Sequence, residues 1–155
     1  MPVAVGTPLP ALDVEGWLNV NEGEQFDAAG KLLVVDCWAT WCAPCREDLP
    51  HMTMIAADYR KRGVKFLSVT QESVADVPAI QKVIESTPGF DWPIAYGGTP
   101  FVGKLAVRGI PTVVLFGRDG KARWSGAGSY GLEKALDDAL AEKPGAAADA
   151  ATPAT

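Results

Sequence analysis

Lys31-Leu32-Leu33-Val34-Val35-Asp36-Cys37-Trp38-Ala39-Thr40-Trp41-Cys42-Ala43-Pro44-Cys45 is the stretch from which the rest of the chain can be read. From Lys31 to Trp38 it is a nearly continuous apolar run with β-branched members, the pattern of a strand buried on both faces. A break follows over Ala39 to Ala43. Pro44 then suits a first helical turn, and Leu49, Met52, Ile55, Ala56 and Tyr59 recur at helical spacing until Gly63 supplies a stop. Pro50 falls inside that pattern and predicts a kink.

Further along, Val64 to Thr70 reads as a second buried strand, and Asp76 opens a second helix carrying Val77, Ile80, Val83 and Ile84 that ends near Thr87-Pro88-Gly89. A short strand over Pro93 to Tyr96 and a short helix over Thr99 to Val107 follow. Thr112 to Phe116 and Ala122 to Ser125 flank Arg118-Asp119-Gly120, a hairpin signal, and Gly131 to Glu142 forms the last helix. Short pieces before Lys31 are compatible with this order. Helix-linked parallel strands followed by an antiparallel hairpin imply an α/β fold with a mixed central sheet and helices on both faces.

Composition limits the function classes. The 155 residues correspond to about one domain, and 48% hydrophobic against 21% charged residues excludes a disordered or collagen-like chain. No apolar run reaches the roughly 18 residues of a membrane span. The net charge is −5 and the densest basic stretch is Arg60-Lys61-Arg62, so no nucleic-acid partner is expected. Residues 143–155, rich in Ala and Pro, offer no apolar face to bury and are read as a disordered tail. Met1 to Gly6 lacks a basic region followed by an apolar core, so no signal peptide is visible.

Cys42-Ala43-Pro44-Cys45 sits between the buried strand and the helix. Residues three apart on a helix stand one above the other, at a separation a disulfide tolerates. Cys42 lies at the helix mouth, where unpaired N–H groups and the dipole favour a thiolate, and Cys45, one turn inward, is the natural resolving thiol. Half of a zinc site is the alternative, but only His51 and Cys37 remain as further ligands, so no metal is expected. A peroxidase pattern would need Pro and Thr or Ser upstream of the cysteine, where Ala39 and Val35 stand.

Asp36 to Cys45 resembles the active-site strand and turn of the thioredoxin superfamily. Arg108-Gly109-Ile110-Pro111-Thr112, followed by Val113 to Phe116, resembles the segment carrying that superfamily's cis-proline. The span from Cys45 to Pro111 is wider than in a plain thioredoxin by about one strand and helix. That extra stretch, Ser73 to Gly98, together with Cys45-Arg46-Glu47-Asp48-Leu49-Pro50, resembles the TlpA/ResA branch of thiol:disulfide oxidoreductases.

The resemblance implies a thioredoxin-like domain over residues 1–142. It makes Cys42 the attacking thiol, Cys45 the resolving thiol and Pro111 the cis-proline shaping a substrate groove, with Ile110 free to pair with an extended substrate. Trp41, Ala43 and Pro44 complete the substrate-binding set, Trp41 either as a flat contact surface or as ordinary packing. Asp36 matches the buried acid of thioredoxin, placed to relay protons for Cys45 or merely to accept a hydrogen bond. Asp48 stands where many TlpA/ResA-like chains have Glu, and with Glu47 it reads as solvated helix surface. Cys37 reads as an inert buried thiol, Trp38 as core and His51 as a polar helix residue.

No cofactor is implied. The expected partners are a disulfide-containing protein substrate and an upstream thiol electron donor. The branch implies an extracytoplasmic location, and the absent signal peptide implies a cytoplasmic one if this chain is the full length. Dithiol–disulfide exchange in the reducing direction is the expected activity. A non-catalytic binding module of the same fold and a thiol peroxidase are the rival readings.

Overall fold

The computed structural model describes residues 1–142; the tail over residues 143–155 lies outside the described residues. Six strands, β1 (Gly16–Leu18), β2 (Leu33–Trp38), β3 (Lys65–Thr70), β4 (Ile94–Tyr96), β5 (Thr112–Phe116) and β6 (Ala122–Gly126), form one sheet in the order β1-β4-β3-β2-β5-β6. β2 runs parallel to β3, and β3 to β4, whereas β1, β5 and β6 are antiparallel to their neighbours. The sheet is therefore mixed, as the strand and helix order implies.

Alternation along β2 assigns the two faces. Val34 and Trp38 point into a core shared with α1 (Ala43–Tyr59), α2 (Val77–Glu85) and α4 (Leu132–Ala141), through Leu49, Met52, Ile80, Leu132 and Leu136. Leu33, Val35 and Cys37 point the other way, against α3 (Thr99–Lys104) and Val3. Both faces are covered, which is why β2 reads as an unbroken apolar run.

Several boundaries move. β2 starts at Leu33, two residues later than Lys31. α1 is continuous across Pro50 to Tyr59, and a 3₁₀ turn over Arg60–Arg62 leads to Gly63, whose φ of +88° is the left-handed geometry that glycine adopts freely. Asp76 stands at the N-cap of α2 as the sequence predicts, but its side chain makes no bond to that helix; its carboxylate accepts from the Ser73 N–H at 2.9 Å, closing a capping box on the 3₁₀ turn Val74–Asp76 that precedes it. α3 stops at Lys104, short of Val107. The N–H of Val107 donates to Val102 O and that of Ala106 to Gly103 O, a Schellman closure with Ala106 at φ +59°. β1 pairs antiparallel with β4, and Gly16 lies so close to the Tyr96 ring that a Cβ would collide with it.

Candidate active site

The sheet ends at Trp38, and the chain turns through Ala39 to Trp41 into α1. Glu72, just beyond β3, fastens this turn: its carboxylate accepts from the Thr40 N–H (2.8 Å), the Thr40 hydroxyl (2.5 Å) and the Thr70 hydroxyl (2.9 Å). Sequence reasoning did not single out Glu72, because a lone Glu after a strand carries no spacing signal.

Cys42 is the N-cap of α1, with extended backbone angles (φ −91°, ψ 104°), and its Sγ accepts from the Cys45 N–H at 3.2 Å. Cys42 and Cys45 are joined as a disulfide with Cα atoms 5.3 Å apart. Both are nearly covered, Cys42 at 5% and Cys45 at 3% exposure, so access to sulfur is narrow from either side. Pro44 occupies the first turn of the helix. Ala43 and Pro44 are exposed, and Trp41 is 74% exposed, which excludes ordinary packing for its ring and leaves a flat apolar surface beside the thiols.

Next to the turn lies an open cavity of about 650 Å³ whose walls include Trp38, Ala39, Trp41, Val107 and Ile110, with Glu72 on its polar side. The half-buried Ile110 and Pro111 are joined by a cis peptide. The pairing of Thr112 with Cys37 sets this segment beside the end of β2, from which the cysteine turn departs.

Asp36 shares the face of β2 that carries Val34 and Trp38, beneath α1. It is buried, and its pKa is pushed up to about 7, chiefly by loss of water and also by the charge of Asp48, with the Ser68 hydroxyl opposing the rise. That hydroxyl stands 3.5 Å from the carboxylate and also accepts the Trp92 indole N–H at 2.9 Å, so Asp36 receives only a long hydrogen bond.

Asp48 is not free helix surface. It is half-buried, and its carboxylate accepts from both the N–H (3.0 Å) and the hydroxyl (2.6 Å) of Ser129, in the Gly-rich loop before α4. Gly128, at φ +132°, brings that loop in against the carboxylate. Glu47 is exposed, as its reading as solvated surface requires. His51 likewise exceeds a simple surface role: its Nδ1 lies 2.7 Å from Ser129 Oγ and its Nε2 2.9 Å from Glu133.

Cys37 is free and buried on the opposite face of β2, its pKa pushed up by burial and by Asp36. Cys37 is thus separated from the pair by the sheet, and among the described residues no cluster of three or more His, Cys, Asp or Glu is placed to hold a metal ion.

A mixed sheet with helices on both faces and a cysteine pair at the mouth of the helix following its central strand define a thioredoxin-like protein with a dithiol/disulfide site. The chain belongs to the Redoxin family, whose model matches residues 4–140, and within the thioredoxin superfamily it is ResA-like. It is 30% identical over 125 residues to the thiol-disulfide oxidoreductase ResA of Geobacillus thermodenitrificans, a match covering 78% of this chain and 68% of that one. With ResA of Bacillus anthracis the identity is 29% over 110 residues, covering 70% of this chain and only 60% of the relative.

Among solved structures, a Chlorobium tepidum protein assigned as the thiol:disulfide interchange protein DsbE superposes with a TM-score of 0.74 at 25% identity, covering 89% of this chain and 99% of that one. A thiol-disulfide isomerase from Corynebacterium glutamicum shares the fold with a TM-score of 0.73 at 24% identity, covering 88% and 98%.

Proposed function

We propose that this chain is a thiol:disulfide oxidoreductase that reduces disulfides in protein substrates. The observation that carries this reading is the Cys42–Cys45 pair at the N-terminus of α1, beside an open cavity. In the reduced form the helix mouth favours the Cys42 thiolate. It attacks a substrate disulfide, forming a mixed disulfide and releasing one substrate thiolate, which takes a proton from water. The Cys45 thiol then gives up its proton and its sulfur attacks Cys42 Sγ. The second substrate thiolate leaves, the substrate has gained two electrons, and the pair is a disulfide again.

Asp36, beneath α1 and poised near neutrality, is the acid–base group for the Cys45 proton. Trp41, Ala43, Pro44, Ile110 and Pro111 form the substrate surface, with the Ile110 backbone offering an edge for an extended chain. An upstream dithiol donor restores the reduced pair. No bound cofactor takes part in this scheme. We place its work outside the cytoplasm, a reading supported by the resemblance to the TlpA/ResA branch, and fractionation of the native host's cells tests it. Among the described residues no helix is long and apolar enough to cross a membrane.

Insulin reduction in the presence of a dithiol donor tests the activity. Turnover above the donor alone, lost in Cys42→Ser, and mixed disulfides accumulating on Cys45→Ser are the expected results. Binding without turnover would indicate a non-catalytic module, and peroxide consumption without insulin reduction would indicate a peroxidase.

A further inference from the structure

A chain of polar groups leads from the surface to the second turn of α1, and the exchange reaction as described does not use it. Glu133, with half its side chain in water (52%), meets His51 Nε2 at 2.9 Å, and His51 is itself 35% exposed. His51 Nδ1 lies 2.7 Å from the Ser129 hydroxyl, which is wholly buried (0%) and donates to Asp48 at 2.6 Å. Asp48 lies three residues after Cys45, so the two share a face of α1 about one turn apart. The path runs from the half-exposed Glu133 through the buried Ser129 to the half-buried Asp48.

The donor pattern is constrained. While Asp48 is ionised the Ser129 hydroxyl donates to it; once Asp48 carries a proton that hydroxyl is free to turn to His51 Nδ1, with the single ring proton on Nε2 facing the Glu133 carboxylate. A hydrolytic triad is excluded, since Ser129 is buried and closed to any substrate. What the arrangement can do is pass protons.

We propose that His51 and Ser129 are positioning residues that form a proton relay between solvent and Asp48, serving the deprotonation of Cys45 when it resolves the mixed disulfide. The inference rests on the thiol:disulfide reading. When the Cys45 S–H bond breaks, the sulfur's electron pair makes the bond to Cys42 Sγ, and the Cys42–substrate bond leaves with its pair on the substrate thiolate. The proton, taken first by Asp36 beneath the pair, passes on to Asp48. From Asp48 it moves to Ser129 Oγ as the hydroxyl proton moves to His51 Nδ1. The imidazolium so formed lies against Glu133 and returns the proton to water. The charge of Asp48 is felt at Asp36, so the two acids work in one electrostatic neighbourhood.

Dithiobis(nitrobenzoate) separates the two thiol steps by stopped flow. The reduced protein releases one nitrothiobenzoate as Cys42 is modified and a second as Cys45 resolves, and this leaving group needs no proton. Ser129→Ala and His51→Gln are expected to slow the second release, relative to the first, roughly tenfold or more in weak buffer at neutral pH. Added imidazole is expected to restore it, and Ser129→Thr to retain it.

An unchanged ratio of the two rates in His51→Gln, whose site is open enough to tolerate the change, would overturn the relay even if Ser129→Ala failed to fold. Equal slowing of both releases without rescue by imidazole would also overturn it and leave a structural role. If the unaltered protein gave no second release, Cys45 would not be the resolving thiol, and both the proposed function and the relay would fall.

Discussion

Replacing Asp36 by Asn keeps the size of the side chain and removes a carboxyl whose pKa burial and Asp48 have pushed up to about 7. Between pH 4 and that value the folded protein holds a proton that the unfolded chain, with an ordinary carboxyl, has released, so stability falls as pH rises through the window and stays lowered above it. Asn carries no such cost. The gain in stability from Asp36→Asn is therefore expected to be near zero at pH 4 and to grow to a plateau above pH 7. The rise from an ordinary 3.8 to about 7, at roughly 1.4 kcal/mol for each tenfold change in proton affinity, puts a ceiling of about 4 kcal/mol on that gain. Urea denaturation across pH checks this. Turnover at neutral pH should fall in the same variant, and turnover unaltered at every pH would end the case for Asp36 as the acid–base group. The three thiols should also separate by reactivity. Iodoacetamide and peptide mapping on the reduced protein should find Cys42 labelled first, at a pH below that of a free thiol, with Cys37 resistant because it is buried and its pKa raised. Labelling of Cys45 or Cys37 ahead of Cys42 would reverse the assigned roles.

At the scale of elements, the turn between β2 and α1 owes its shape to a residue from the next strand's end. Glu72 satisfies the N–H and hydroxyl of Thr40 and ties them to Thr70. Glu72→Ala leaves a part-buried donor unpaired and should cost about 1–3 kcal/mol in chemical denaturation. It should also weaken the bias toward Cys42 labelling, because the loosened turn no longer holds the sulfur at the helix mouth. Stability and labelling both unchanged would show that the turn holds itself. This clamp was not legible in the sequence, and neither was Ser129. Each acts across the fold, on a partner 32 or 81 residues away, and a single Glu or Ser has no periodicity to mark it. Local and repeated signals were legible: the apolar run of β2, the helical spacing of α1, the hairpin at Arg118-Asp119-Gly120 and the Cys42–Cys45 spacing. Asp48 was read as solvated helix surface and His51 as a polar helix residue because the sequence shows which helix they ride but not the loop that returns to meet them. α3 reads too long because the closure at Ala106 puts a non-glycine residue in the left-handed region, where the usual stop signal is absent.

For the whole molecule, the two ends of the chain should respond differently to removal. β6 is the outer strand on its side of the sheet, and the N-terminal segment lies along it: Gly6 N–H donates to Ala122 O, Ala122 N–H to Thr7 O and Leu9 N–H to Gly120 O. Val3 adds a buried pair of bonds with the Ser125 hydroxyl and seats its side chain in the core between the sheet and α3. Deleting residues 1–9 uncovers these strand groups, leaves Ser125 buried without its partners and opens an apolar gap where Val3 sat. The expected result is a loss of several kcal/mol in urea denaturation, with self-association through the bared edge detected by light scattering. Residues 143–155 have the composition of a segment with nothing apolar to bury. Their deletion should leave the thermal midpoint and insulin reduction unchanged. A truncation at residue 142 that lost stability would mean that the tail belongs to the domain, and an N-terminal deletion that unfolded no more easily than the intact chain would mean that β6 needs no cover.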